Sequence, residues 1–371
     1  MKLATYNVEN LFDRPKAMNL ATWQQGKNVL EDFKELNKLI QQPVYDAATK
    51  TALLQLMGKH PNLMQNGKSD YILLRENRGK FLKKQPNGTY DILAAGRADW
   101  IGWFELVTEE VDETATENTG RIIGLMQPDV IAVIEAEDRI GLKRFNKNVL
   151  PKIGCPAFDH IMLIDGNDER GIDVGLMTRK DFPILRIQSH VDDTDDHGLI
   201  FSRDCAEYEI RTPNGGRLLL LVNHFKSKGY GKPAASAAKR LRQAARVREI
   251  LLERRREGYE HIAVLGDLND IPNEPALAPL YDPALGLIDI MTHTRFVPDG
   301  RPGTHGNGTA SAKLDYIFMT SELATAVVTG GIERRGVWGG KHGTLFPHLA
   351  TIQNAKDAAS DHAALWVELA L

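Results

Sequence analysis

Short apolar runs recur along the chain, with helical stretches between them. Residues 2–7, 130–134, 173–178, 217–223, 262–265, 314–319 and 363–369 read as strands. Several, such as "VIAVI" and "LLLLV", are apolar at every position, which predicts sheets covered on both faces. In residues 234–257, Leu241, Ala244, Val247 and Leu251 fall at three- and four-residue spacing among Arg and Lys. That pattern predicts an amphipathic helix crossing between two strands. A shorter helix over 118–126 ends before Pro128. Residues 14–98 differ: "NVLEDFKELNKLI" and "DAATKTALLQLMGKH" have helical periodicity, Pro43 and Pro61 punctuate them, and no buried strand is evident. The expectation is one domain over 1–371 with a mostly helical insertion at 14–98, packed onto the core through Trp100, Trp103 and Phe104.

Composition changes this picture little. The chain has 371 residues, 42% hydrophobic and 26% charged, enough for a large core. Lys and Arg number 46 against 49 Asp and Glu, a formal net charge of -3, which excludes a protein that simply coats nucleic acid. Cys155 and Cys205 are too few and too far apart for a disulfide framework or a zinc site, so two reduced, buried thiols are expected. The N-terminus lacks an apolar signal core, and no run of ~18 apolar residues occurs. A cytoplasmic protein without stable membrane association is the expectation, and no obligate protein partner is evident. "VDDTDDHG", residues 191–198, reads as a solvated turn or a structural cation site.

Chemistry gathers where the strands end. Asn7 and Glu9 close the first strand and Glu135 the second; His224, followed by Lys226 and Lys228, closes the 217–223 strand. "GDLND" carries Asp267 and Asn269, and Asp361-His362 stand before the last strand. Alone, "GDLND" could be a turn closed by an Asx bond. Beside the other strand ends it reads differently. Gly266 bends the chain, Asp267 and Asn269 point the same way, Leu268 turns into the core, and Asp270 starts a loop. Strand termini form the usual ligand crevice of α/β sheets. The donors are carboxylates, amides and imidazoles without thiolate, which suits Mg²⁺, with Mn²⁺ or Ca²⁺ as substitutes, better than zinc.

In order, "TYNVENLF", "PDVIAVIE", "VNHFKSK", "GDLND", "KLDYIF" and "SDHAALWV" resemble the endonuclease/exonuclease/phosphatase superfamily, nearest to its bacterial nuclease-like members. This is the DNase-I-like fold, shared by abasic-site endonucleases, sphingomyelinases and inositol-polyphosphate 5-phosphatases. The resemblance covers residues 1–13 and about 99–371. It implies an α/β fold, a four-layer sandwich of two packed mixed sheets flanked by helices, and a metal-dependent phosphoesterase. Residue by residue, it implies that Asn7, Glu135 and Asp361 hold the metal, Glu135 foremost. Asp267 would position or deprotonate the attacking water, and Asn269 would hold water or a phosphate oxygen. His362, oriented by Asp315, and His224 would stand beside the scissile phosphate. Arg203 falls where relatives place an arginine on substrate phosphate; Arg170 and Lys226 are further phosphate candidates. Asp173 is expected to orient His224, and His305 lines the cleft or sits in a plain loop.

Substrate choice stays open at this level. Residues 226–256 hold eleven Lys and Arg against Glu249 and Glu253. The lysines after His224 could track a nucleic-acid backbone, while the helix part reads more simply as a solvated face. A nuclease acting on DNA or RNA is the first reading. A phosphatase or phosphodiesterase of small metabolites or lipid head groups is the second. A non-catalytic interaction protein on the same fold is the third.

Overall fold

The computed structural model describes residues 1–20, 23–229 and 232–371, and they form two compact units: residues 1–12 with 111–371, and residues 13–110. The first unit is built on two mixed sheets. One has seven strands in the order Phe296–Val297, Val327–Glu333, Ala364–Leu369, Lys2–Asn7, Val130–Ala136, Asp173–Thr178, His160–Ile164. The other has six: Ile184–Gln188, Cys205–Arg211, Arg217–His224, Ile262–Asp267, Asp315–Met319, Ile288–Asp289. Near the middle of each sheet lies a parallel pair, Lys2–Asn7 with Val130–Ala136 and Arg217–His224 with Ile262–Asp267. Parallel neighbours need a long crossover, and the helix Pro233–Arg256 supplies it for the second sheet.

Side-chain alternation accounts for the layers. Leu3, Val130, Ala132 and Ile134 of one sheet meet Leu218, Leu220, Val222, Ala263 and Leu265 of the other in one shared core. The intervening residues point outward. Ala4, Ile131 and Val133 pack with Ile122, Ile123 and Met126 of the helix Glu113–Met126. Leu219, Leu221, Ile262 and Val264 pack with Ala244, Val247, Ile250 and Leu251 of the long helix. Helix, sheet, sheet, helix is the expected four-layer α/β sandwich. Cys155 and Cys205 are buried and free. No helix among the described residues is long and apolar enough to cross a membrane.

The long helix corrects the reading of its arginines as a solvated face. Arg242 and Arg246 pair with Asp195 and Asp193 of the acidic 191–198 loop, Arg248 with Asp282, Arg254 with Glu207, and Arg255 with Glu322. The acidic loop is thus answered by arginines. Sequence periodicity cannot show this, because the partners lie 34 to 67 residues away.

The second unit has the helices Trp23–Ile40, Ala47–Gly58 and Leu63–Asn66. Against the sequence pattern, it also has three two-stranded ladders. Asp13–Pro15 pairs with Thr108–Glu110, Ile72–Arg78 with Ile101–Leu106, and Leu82–Lys84 with Tyr90–Ile92. These strands escape the pattern because at most one face is buried: Ile72, Leu74 and Phe104 point in, while Arg75 and Trp103 point out. Trp100 and Phe104 belong to this unit's own core with Leu36, Leu53 and Met57, and Trp100 stacks on Phe81 at 4.3 Å. They are its interior, where the sequence had suggested an adhesive patch. Trp103 is 38% exposed.

Candidate active site

Every residue of the site belongs to the first unit. Strand register assembles half of it: His224 lies opposite Asp267, and Asp267 opposite Asp315. Directly opposed residues share a face, so three strands present a histidine and two carboxylates side by side. In the other sheet Asn7 lies opposite Ile134. The next residue, Glu135, is the extra residue of a bulge, since Val174 pairs with Ile134 and Asp173 with Ala136. Its φ of 66° is left-handed, as is the 52° of Asn269. Such backbone costs ~1–3 kcal/mol per residue and persists only where packing enforces it; here it re-aims both side chains.

Gly266 has φ 122°, and a Cβ there would lie 2.0 Å from the carbonyl oxygen of Asn223. Its role is close approach of the neighbouring strand, and the strand continues through it to Asp267. Asp267 and Asn269 are joined directly, the Asn269 amide donating to Asp267 Oδ1 at 2.8 Å. Leu268 between them is fully buried, as expected.

Asp267 is the hub. Asn7 Nδ2 donates to its Oδ2 at 3.2 Å; His224 Nε2 stands 3.8 Å and His362 Nε2 3.9 Å from the same oxygen. His224 Nε2 is also 3.5 Å from Glu135 Oε1. His362 Nδ1 lies 2.8 Å from Asp315 Oδ2, and Asp315 is fixed by a backbone bond from its own N–H to Thr304 Oγ1. Asp361 brackets His362 from outside, with Oδ1 3.7 Å from its Nε2 and Oδ2 3.1 Å from His305 Nε2. The site therefore has a buried floor of His224, Asp267 and Asp315, and a rim at His305 and Asp361, whose side chains are 38% and 48% exposed.

Charge differentiates the two histidines. Burial drives His224 well below the ordinary imidazole range, and the Arg203 guanidinium pushes the same way. Burial also opposes the charged form of His362, but the Asp315, Asp361 and Asp267 carboxylates outweigh it and hold the ring well above that range. Near neutral pH one histidine is neutral and the other is an imidazolium. Burial, reinforced by the Asp315 carboxylate, pushes Asp267 up to about 7. Groups driven apart in this way mark acid–base sites.

Ligand atoms of Glu135, His224 and Asp267 all lie within 4.8 Å of one another. Two acids and a neutral imidazole converging on one point suit a divalent cation, which would offset the burial and carboxylate charge that raise Asp267. The described side chains therefore fit a metal centre.

Four further candidates are placed differently from expectation. Asp173 does not orient His224; its carboxylate accepts the Gly166 N–H at 2.9 Å, and His224 Nδ1 faces the Ile172 carbonyl at 3.4 Å. Arg203 is 1% exposed and out of reach of a substrate phosphate. It donates to the Phe225 carbonyl at 2.9 Å, and its Nε lies 3.2 Å from Asp168. The same carbonyl accepts Asn269 Nδ2 at 3.1 Å, so Arg203 braces the peptide that orients Asn269. Arg170 grips Asp168 with two 2.7 Å bonds. Lys226 is half-buried, and its backbone is held by Gln243 and Arg240. Asp270, read as a loop start, is buried and pairs with Arg240 and Lys228.

Glu9 and Ser360, to which the sequence assigned no role, complete the frame. Glu9, at φ 52°, gives its N–H to Asn7 Oδ1 and accepts the Asp361 N–H. Ser360 Oγ donates to the Asn7 carbonyl and accepts the His362 N–H, tying the first strand to the last. Only its place beside "DH" hinted at a role for Ser360.

A search of the curated proteins found no significant match. Among solved structures, a Bacteroides thetaiotaomicron mannosyl-6-phosphatase is 17% identical with a TM-score of 0.50, covering 70% of this chain and 92% of that one. An endonuclease/exonuclease/phosphatase family protein from the same organism has the same identity and TM-score, covering 68% of this chain and 87% of its own. Human Nocturnin's catalytic domain is 15% identical at a TM-score of 0.46, over 70% and 87%. At these identities the likeness is one of fold. The model of the endonuclease/exonuclease/phosphatase family matches residues 89–362, from within the second unit to His362. The chain belongs to the endonuclease/exonuclease/phosphatase family and is a hydrolase of phosphoester bonds.

Proposed function

We propose that the protein is a divalent-metal-dependent nuclease that cleaves phosphodiester bonds of DNA or RNA by in-line attack of water. Glu135 and Asp267 would hold the ion, with Mg²⁺ as the natural occupant; Asn7 would support it through Asp267, and Asp361 would extend the site from the rim. When bound, the ion neutralises charge developing on the phosphate. Asp267, a buried carboxylate poised near neutrality, takes the proton of the attacking water. His362, an imidazolium held by Asp315, donates a hydrogen bond to a non-bridging oxygen and stabilises the transition state. Asn269, fixed through the Phe225 carbonyl, orients the water or a phosphate oxygen. His224 stays neutral beside Glu135 and Asp267.

The observation that favours a nucleic-acid substrate is the rim beside Asp361. The 301–309 loop is bound to Asp361 through the Gly306 N–H at 2.7 Å. It joins the 336–348 loop through Gly340 to Asn307 at 2.8 Å and Arg301 to the Leu345 carbonyl at 3.1 Å. These loops carry Arg301 over the Phe346 ring at 5.2 Å and Trp338 stacked on His348 at 5.4 Å. Interleaved cations and aromatic rings suit splayed bases and their phosphates.

The test is cleavage of single-stranded DNA, duplex DNA and RNA with Mg²⁺, Mn²⁺ or Ca²⁺, by wild type and His362→Ala. Wild-type cleavage lost in the variant is the expected result. No cleavage of any nucleic acid, together with turnover of phosphorylated sugars or inositol phosphates, would replace this reading with that of a small-phosphoester phosphatase. Phosphorylated sugars head that panel because one structural relative is named a mannosyl-6-phosphatase.

A further inference from the structure

We infer that the residue 13–110 unit carries a second nucleic-acid contact, a basic ribbon with an exposed indole that grips single-stranded substrate. The inference rests on the nuclease reading. Residues 13–110 hold 14 Lys and Arg against 12 Asp and Glu, in a chain whose net charge is -3, so the positive excess lies in this unit. Within it, Arg75, Arg78, Lys80, Lys83 and Lys84 occupy ten consecutive positions, and all five are exposed.

The ladder places two of these cations beside the indole. Arg75 lies opposite Trp103 and Arg78 opposite Ile101, so all four share the outer face of the ribbon. Lys83 and Lys84 follow on the adjoining Leu82–Lys84 strand, opposite Asp91 and Tyr90, with Lys84 Nζ 6.0 Å from the Tyr90 ring centre. Three acids stand nearby. Glu76 is engaged by the Phe81 and Leu82 N–H groups. Glu105 binds Arg75 Nε at 2.9 Å and Trp103 Nε1 at 2.7 Å, which fixes the indole on the surface. Asp91 accepts a bond from Gln85.

Arg78, Lys80, Lys83 and Lys84 form no ion pair among the described residues, in contrast to the long helix, whose arginines are largely answered by acids. Unanswered cations release counterions on meeting a phosphate backbone, and an exposed, oriented indole offers any base a stacking face. Charge and ring together fit a single strand.

The experiment uses the full chain in EDTA, which prevents turnover. Fluorescence anisotropy follows binding of labelled oligothymidylate across a salt series. The variants are Lys80→Ser/Lys83→Ser/Lys84→Ser and, separately, Trp103→Ala, with circular dichroism and hydrolysis of bis(p-nitrophenyl) phosphate as controls. The triple variant should bind at least about tenfold more weakly and lose about 2 from the log–log salt slope. Trp103→Ala should weaken binding about tenfold with the slope unchanged. Hydrolysis of the small substrate should not change. Wild-type affinity and slope in both variants would overturn the inference and leave the nuclease reading standing, provided the wild type still cleaves nucleic acid. A wild type that neither binds nor cleaves any nucleic acid would overturn both.

Discussion

Asp267 shows how much one residue's neighbours decide. Its carboxylate is buried, crowded by Asp315, and pushed up to about 7. Replacing it with Asn keeps the shape and removes a charge the interior resists. The expected outcome for Asp267→Asn is a loss of at least ~10²-fold in kcat with an unchanged or higher melting temperature, read by steady-state kinetics and calorimetry. A stability loss matching the activity loss would make Asp267 a structural residue. Gly266 is the reverse case. With φ 122° and the Asn223 carbonyl 2.0 Å from a built Cβ, Gly266→Ala has no relaxed solution. It should destabilise the protein by at least ~2 kcal/mol in urea unfolding. Arg203→Met should cost ~3 kcal/mol, because it removes the buried guanidinium and leaves the half-buried Asp168 with Arg170 alone. It should also lower kcat through Asn269 more than it raises KM.

At the scale of elements, the long helix Pro233–Arg256 is held by charge as well as by its apolar stripe. Arg254 makes two bonds to Glu207, 2.6 and 2.7 Å, and Glu207 also lies 2.8 Å from His190 Nε2. Burial disfavours the charged form of His190, yet bonding to Glu207 and the Asp193 and Glu207 charges outweigh this and raise it. A histidine raised on folding contributes stability that is complete below its unfolded value of about 6.5 and is lost as pH rises through its folded value. The stability gap between wild type and His190→Asn should therefore be largest below pH ~6.5 and shrink toward alkaline pH. Urea titrations across that range check it, and a gap that widens with pH would contradict the assignment.

The whole molecule divides where its chemistry divides. Among the described residues, the candidate site and three of the four apolar cores lie in residues 1–12 and 111–371, and the fourth core is internal to residues 13–110. The chain leaves the first unit at Phe12 and re-enters at Val111, whose N–H donates to the Phe12 carbonyl at 2.7 Å. Those ends are already adjacent, so closing them costs little loop entropy. Replacing residues 14–109 with a short Gly-Ser turn should give a folded protein that hydrolyses bis(p-nitrophenyl) phosphate at a rate within about threefold of wild type, as expected where no reacting group is touched. A chain unable to fold would show that the second unit is structurally required.

Local rules determined much of this protein. Alternating apolar runs announced the strands of both sheets, and the 3.6-residue stripe announced the long helix, because period follows from backbone geometry alone. Asn7, Glu135, His224, Asp267, Asp315 and His362 were legible because strand ends are where sheets leave polar groups unpaired by neighbours, and their order along the chain matched a known family. Tertiary structure decided what required a partner far away. Arg203 became a buried brace on Phe225, Asp173 was drawn to Gly166, and the acidic loop met the helix arginines. The ladders of the second unit were hidden because each buries at most one face, and Trp100 stacks inside that unit on Phe81. Sequence specifies residue type and period, whereas burial and pairing of a charge depend on distances between residues remote along the chain, and only the folded chain sets them.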